Sequence, residues 1–124
     1  MKLNNKVVLI LAGVGSVGSE VLNILIKQTS NFSLIGILNS KNMIYNKEGI
    51  YNKDALNQLI KKGTKSNLNM LLERATIYKN KIFIDCSSSK QLIKQYHKII
   101  NFGFSIVAAN KLANTQSMKF YKSI

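Results

Sequence analysis

Four short polar clusters in this chain carry residue types that chemistry needs. The first, Gly13-Val14-Gly15-Ser16-Val17-Gly18, has the spacing G-x-G-x-x-G. In a strand-to-helix turn, Gly13 would permit the tight bend and Gly15 would let the backbone approach a pyrophosphate. Gly18 would let the helix pack closely on the strand. The N–H groups from Ser16 onward, with the helix dipole behind them, would then face phosphates. The pattern alone is weak, and a glycine-rich turn without ligand is the bland alternative. It gains force from its surroundings: an apolar run precedes it and an amphipathic segment follows.

The second cluster is Asn39-Ser40-Lys41. An acid at this place usually accepts the ribose hydroxyls of NAD. Here no carboxylate opposes a 2′-phosphate, and Lys41 could bind one, so NADP(H) is favoured while NAD(H) stays possible. One more solvated lysine is the plainer reading of Lys41. The third cluster is Asp85-Cys86-Ser87-Ser88-Ser89. Its hydroxyls and the helix start behind them could meet the nicotinamide half, or one serine could simply cap a helix. The fourth is Ala109-Asn110-Lys111. A lysine desolvated near a nicotinamide could handle the proton that accompanies hydride transfer; a solvent-facing loop lysine is the alternative. Cys86 reads as a small buried residue at a strand end, and His97 as a surface residue. With one cysteine and one histidine, no metal constellation is expected.

The elements that must position these clusters follow from periodicity. Val7 to Leu11 is a continuous, β-branched apolar run, the pattern of a strand buried on both faces. Val17, Val21, Ile24 and Leu25 repeat at helical spacing from Ser16 to about Gln28, and Leu34 to Leu38 reads as a second strand. Residues 7–38 thus form a βαβ unit. Residues 39–53 look polar and irregular. Leu56, Leu59 and Ile60 mark a helix ending at Gly63, and Leu68, Leu71, Leu72 and Ala75 mark another. Ile82 to Ile84 is a third strand. One helix with the face Leu92, Ile93, Tyr96, Ile99 and Ile100 runs to Gly103, and Phe104 to Ala108 is a fourth strand. Asn110 to Thr115 reads as a loop, with a last helix from Gln116 to the end. Alternating strands and helices predict an α/β, Rossmann-type parallel sheet with helices on both faces, as a single domain over residues 1–124.

Composition limits the alternatives. The 124 residues carry Lys+Arg 18 against Asp+Glu 5, a net charge of +13, which raises nucleic acid as a partner. Yet the lysines are spread along the chain, and Arg74 is the sole arginine. A solvated basic surface that favours anionic ligands explains this better, and neither nucleic acid nor membrane is expected as a partner. At 46% hydrophobic with Pro 0, the chain is neither disordered nor a linker. Lys2 and Lys6 before the apolar run only imitate a signal peptide, and a cytoplasmic location is expected.

Taken together, these segments resemble the cofactor-binding domain of homoserine dehydrogenase, as fused to aspartokinase in bacterial bifunctional enzymes. The resemblance runs from Val7 to about Tyr121. It is carried by Asn39-Ser40-Lys41 with Gly49 downstream, by Asp85-Cys86-Ser87-Ser88, and most specifically by Gly103-Phe104 through Asn110-Lys111-Leu112-Ala113-Asn114-Thr115. It implies interconversion of homoserine and aspartate semialdehyde with NAD(P)(H), in threonine and methionine biosynthesis. It implies that Gly13, Val14, Gly15, Ser16, Val17 and Gly18 hold the pyrophosphate and that Asn39, Ser40 and Lys41 meet the adenosine ribose. Ser87 and Ser88 would line the nicotinamide ribose. Asn110 and Lys111 would reach the cofactor, with Lys111 as the catalytic residue between nicotinamide and substrate. Where the family usually has proline, this chain has Ala109, which implies a looser backbone before Asn110. The family's catalytic domain is expected to be missing here. The chain alone would then bind cofactor and turn over homoserine poorly, and a separate chain could supply that domain. The alternative is a non-enzymatic nucleotide-binding module or inactive remnant.

Overall fold

The structure is a computed structural model and describes residues 6–27, 31–51, 54–109 and the backbone of 119–121. Among the described residues, seven strands form one mixed sheet in the order β4-β3-β2-β1-β5-β6-β7. The four central strands are parallel: β1 (Val7–Ala12), β2 (Phe32–Leu38), β5 (Asn80–Asp85) and β6 (Phe104–Ala108). Antiparallel strands close both sides: β3 (Asn42–Tyr45) and β4 (Thr64–Lys65) beyond β2, and β7 (Lys119–Tyr121) beyond β6.

The central strands are apolar throughout because both of their faces are covered. Val8, Ile10 and Ala12 of β1 point into one core with Leu71, Leu72, Phe83, Tyr96 and Ile99. Leu9 and Leu11 point into the other, with Leu22, Ile26, Ala55 and Leu59. Helices α1 (Ser16–Lys27) and α2 (Ala55–Lys62) therefore lie on one face. On the other lie α3 (Leu68–Arg74), α4 (Lys90–Lys94) and α5 (Tyr96–Asn101). The crossover through α1 moves outward to β2 and the one through α4 and α5 moves outward to β6. Right-handed crossovers in opposite directions must use opposite faces, so the order β2-β1-β5 contains the point where winding reverses.

Four expectations are corrected. Within residues 39–53, Asn42–Tyr45 are not irregular, because β3 pairs Leu38 with Met43 and Gly36 with Tyr45, whereas 46–51 are turn and loop with Gly49 at φ +102°. The reversal is made by the Asn39 side chain, whose Oδ1 accepts from Lys41 N (2.8 Å) and Asn42 N (2.7 Å). The single helix expected before Gly103 is two, α4 and α5, broken at Gln95, whose N–H turns back to the Leu92 carbonyl. The expected final helix gives way to β7 at Lys119–Tyr121, drawn into the sheet by pairing with Ile106 to Ala108; residues 110–118 lie outside the described residues. The fourth correction is rotational. Of the expected stripe Val17, Val21, Ile24 and Leu25, Val21 and Leu25 pack half-buried against the core, yet Val17 and Ile24 are 46% and 57% exposed, while Gly18, Leu22 and Ile26 are buried. The cause lies in the turn that precedes the helix, described next.

Candidate functional site

At the carboxyl ends of β1 and β5 the chain leaves the sheet in two loops that touch each other. Gly13 adopts φ +88°, and a Cβ there would lie 2.6 Å from Ser87 N and 2.7 Å from the Cys86 carbonyl carbon. Glycine is required twice at this position, for its handedness and for the close approach. Gly13 N donates to the Leu38 carbonyl (2.8 Å) and Cys86 N to the Ala12 carbonyl (2.7 Å), so the turn is tied to the strands on either side. At Gly18 a Cβ would come within 1.9 Å of the Gly13 carbonyl oxygen. Only the residue without a side chain can face the turn. That sets the rotation of α1, brings Leu22 and Ile26 inward one and two turns later, and leaves Val17 and Ile24 outside.

Gly15 is different. A Cβ there would meet nothing within 4 Å. Its bare Cα borders a cleft of about 520 Å³ that also takes in Gly13, Asn39, Ser40, Ser87 and Ser88, a volume within the range of small-molecule sites. Ser19 N to the Gly15 carbonyl (2.8 Å) is the first bond of α1, so the amides before it have no acceptor within the helix. They point out of the N-terminus of a twelve-residue helix, where the dipole favours an anion. Among the described residues no charged side chain lines the cleft. An anionic, partly apolar ligand would meet their hydroxyls, amides and backbone N–H groups there, with no carboxylate among them to repel it.

The structure brings three of the four sequence clusters to this one place. Asn39 and Ser40 stand at the end of β2, and Ser87 and Ser88 at the end of β5. Lys41 is exposed on the β2–β3 turn and does not line the cleft. Ser89, not Ser87 or Ser88, caps α4, accepting from Leu92 N at 3.1 Å, which leaves the two preceding serines on the rim. Asn110 and Lys111 lie outside the described residues. Ala109, next to them, is not loose: its N–H donates to the Asp85 carbonyl at 2.7 Å, a bond that proline could not make. Cys86, expected to be buried, is half-buried and lines the cleft, and partial burial and then the Asp85 charge push its thiol up to about 11, so it stays protonated at neutral pH. His97 is exposed. Among the described residues no group of three metal-ligating side chains occurs, and no helix is long and apolar enough to cross a membrane.

Some site residues were invisible to the sequence reading. Ser66 and Leu68 enter from the β4–α3 connection, and Gln91 and Gln95 from α4 and its break. The single available signal was the Asn67 cap of α3, which marks a chain turn beside Ser66. Asp85 was read only as part of a polar run. It is fully buried, and its Oδ1 accepts from Ser87 N (2.9 Å) and Ser87 Oγ (2.6 Å) while Oδ2 accepts from the Tyr96 hydroxyl.

Among solved structures, homoserine dehydrogenase from Thermoplasma acidophilum superposes with a TM-score of 0.67 at 20% identity, over 86% of this chain and 35% of that one. A protein of unknown function from Candida auris gives 0.65 at 25% identity, over 86% and 30%. These likenesses show the Rossmann-type fold. Bifunctional aspartokinase/homoserine dehydrogenases of Buchnera aphidicola and Haemophilus influenzae are 32% and 30% identical over 92% and 98% of the chain. The chain spans only 15% and 16% of their lengths. The family described as the NAD binding domain of homoserine dehydrogenase matches residues 13–124, nearly the whole of the chain. The match begins at the glycine turn that opens on the cleft, and the chain belongs to this family.

Proposed function

We propose that this chain is the dinucleotide-holding part of a homoserine dehydrogenase, serving the interconversion of homoserine and aspartate semialdehyde. The observation that carries the reading is the Gly15 cradle. It is a glycine whose missing Cβ faces open space, at a helix N-terminus, beside a cleft that no charged side chain of the described residues lines, in a chain of this family. The turn Gly13 to Gly18 would hold the pyrophosphate through backbone N–H groups. Asn39 and Ser40, with Lys41 on the turn beside them, would meet the adenosine ribose, and Ser87 and Ser88 the nicotinamide ribose. By resemblance, Asn110 and Lys111 reach the nicotinamide, and Lys111 takes the proton released when the substrate hydroxyl is oxidised. The bound nicotinamide ring supplies the hydride acceptor or donor.

The lean toward NADP(H) rests on the absence of a carboxylate at residues 39–41 and on Lys41. Because Lys41 is exposed, its contribution is that of a surface charge, about 0.2–1 kcal/mol. Turnover needs substrate held against the cofactor, and that task falls to a catalytic domain, in the same protein or on a separate chain. Fluorescence titration of the purified chain with NADPH and NADH tests the reading. Saturable binding of either supports it; no binding up to millimolar cofactor refutes it. Homoserine oxidation by the 124-residue chain alone would refute the division of labour.

A further inference from the structure

We propose that Asp85 and Tyr96 form the positioning element of the nicotinamide half of the cleft, a deepening that rests on the dinucleotide reading above. Of the five acidic residues, Asp85 alone is buried. A buried carboxylate is costly unless its bonds are well made, and an apolar residue at a strand end generally serves stability better. What this carboxylate does is orient its surroundings. Oδ1 accepts both the backbone N–H and the hydroxyl of Ser87, at 2.9 and 2.6 Å. Oδ2 accepts the hydroxyl of Tyr96, the first residue of α5, which is itself 8% exposed. The Asp85 carbonyl meanwhile accepts from Ala109 N at 2.7 Å, at the root of the segment that carries Asn110 and Lys111.

One residue therefore joins the loop after β5, the start of α5 and the exit from β6. The Tyr96 bond stops the carboxylate from rotating, and the fixed carboxylate holds the Ser87 hydroxyl proton inward. Ser87 Oγ also accepts from Ser89 N at 3.3 Å, so the hydroxyl stands at the rim as an oxygen of fixed place and orientation against which a sugar can be aligned. In a dinucleotide site at a reversal point, the adenosine half takes the β2 side. The β5 side, where this element sits, is left to the nicotinamide ribose. Neither Asp85 nor Tyr96 lines the cleft, so both act through Ser87 rather than on the ligand.

The test compares the whole chain with Tyr96→Phe, Asp85→Asn and, as a packing control in the same helix, Ile99→Val, at a temperature where circular dichroism shows each folded. Calorimetric titrations use NADPH and NADH, and their adenosine halves, 2′-phospho-ADP and ADP. Tyr96→Phe and Asp85→Asn are expected to weaken the whole dinucleotides about tenfold, one charge-assisted hydrogen bond's worth of orientation. The adenosine halves should bind as before, and Ile99→Val should move neither. Equal weakening of dinucleotides and halves, or no change in either, overturns the proposal while leaving the dinucleotide reading intact. Failure of the unaltered chain to bind any of the four overturns both. Should Asp85→Asn not fold, Tyr96→Phe decides alone, since it removes a single oxygen.

Discussion

Three glycines in one hexapeptide should fail in three different ways. At Gly15 an added Cβ meets nothing within 4 Å and the backbone is not in the left-handed region. Gly15→Ala should therefore fold as well as the parent, within about 0.5 kcal/mol or slightly better through a less flexible unfolded chain. Its methyl would stand in the space where a pyrophosphate is to approach, and dinucleotide affinity should drop at least tenfold, about 1.4 kcal/mol. At Gly18 the same methyl is driven to 1.9 Å from the Gly13 carbonyl oxygen. Backbone cannot move aside as a flexible side chain would, so the cost should reach about 3 kcal/mol, the upper end of overpacking. For a domain of this size that lowers the melting temperature by roughly 10 °C. Gly13→Ala combines a φ of +88° with contacts at 2.6 and 2.7 Å and should be at least as damaging. Thermal denaturation followed by circular dichroism, together with NADPH titration of each variant, separates the two effects. A Gly15→Ala protein that is stable and binds NADPH normally would refute the cradle. A Gly18→Ala protein that melts with the parent would refute the account of how α1 is rotated.

Three further outcomes follow from local geometry. Cys86, its pKa raised to about 11, should react with iodoacetamide very slowly at pH 8 and speed up only toward that value; fast labelling at neutral pH would contradict the raised pKa. Since the folded state holds this proton more tightly than an ordinary thiol of pKa 9.0, the thiol's contribution to stability falls as pH climbs from 9.0 toward 11, a decline that Cys86→Ala should lessen in alkaline denaturation curves. Ala109→Pro removes the donor to the Asp85 carbonyl and should destabilise the fold by about 1 kcal/mol in urea titrations, whereas a gain in stability would show that the bond contributes nothing. Lys41→Ala should lower the NADPH-to-NADH affinity ratio by less than about fivefold, and the effect should fade at high salt; an unchanged ratio at low salt would remove Lys41 from cofactor selection.

Much of this was legible in the chain because it is local. Val7 to Leu11 reads as a doubly covered strand from its own residues, and β1 is buried from Val8 onward. A G-x-G-x-x-G run between such a strand and an amphipathic segment marks the turn, and the polar residues at strand ends mark the rim. The cap on α4 was narrowed to three serines, but one-residue differences in where an N–H points chose Ser89. The short antiparallel strands β3, β4 and β7 escaped because each is four residues or fewer and takes its order from pairing with a neighbour.

The division follows range. By itself the sequence determined the periodicity of the elements, the glycine turn, the α/β class and the family, since these depend on residues near each other along the chain. Only the tertiary structure decided which stripe of α1 faces inward, because that turns on Gly18 meeting the Gly13 carbonyl and not on how apolar Val17 and Ile24 are. It likewise decided that Asp85 serves Ser87 and Tyr96, eleven residues apart in the case of the tyrosine, for a hydrogen bond between a strand end and a helix start exists only once both are packed on the same sheet.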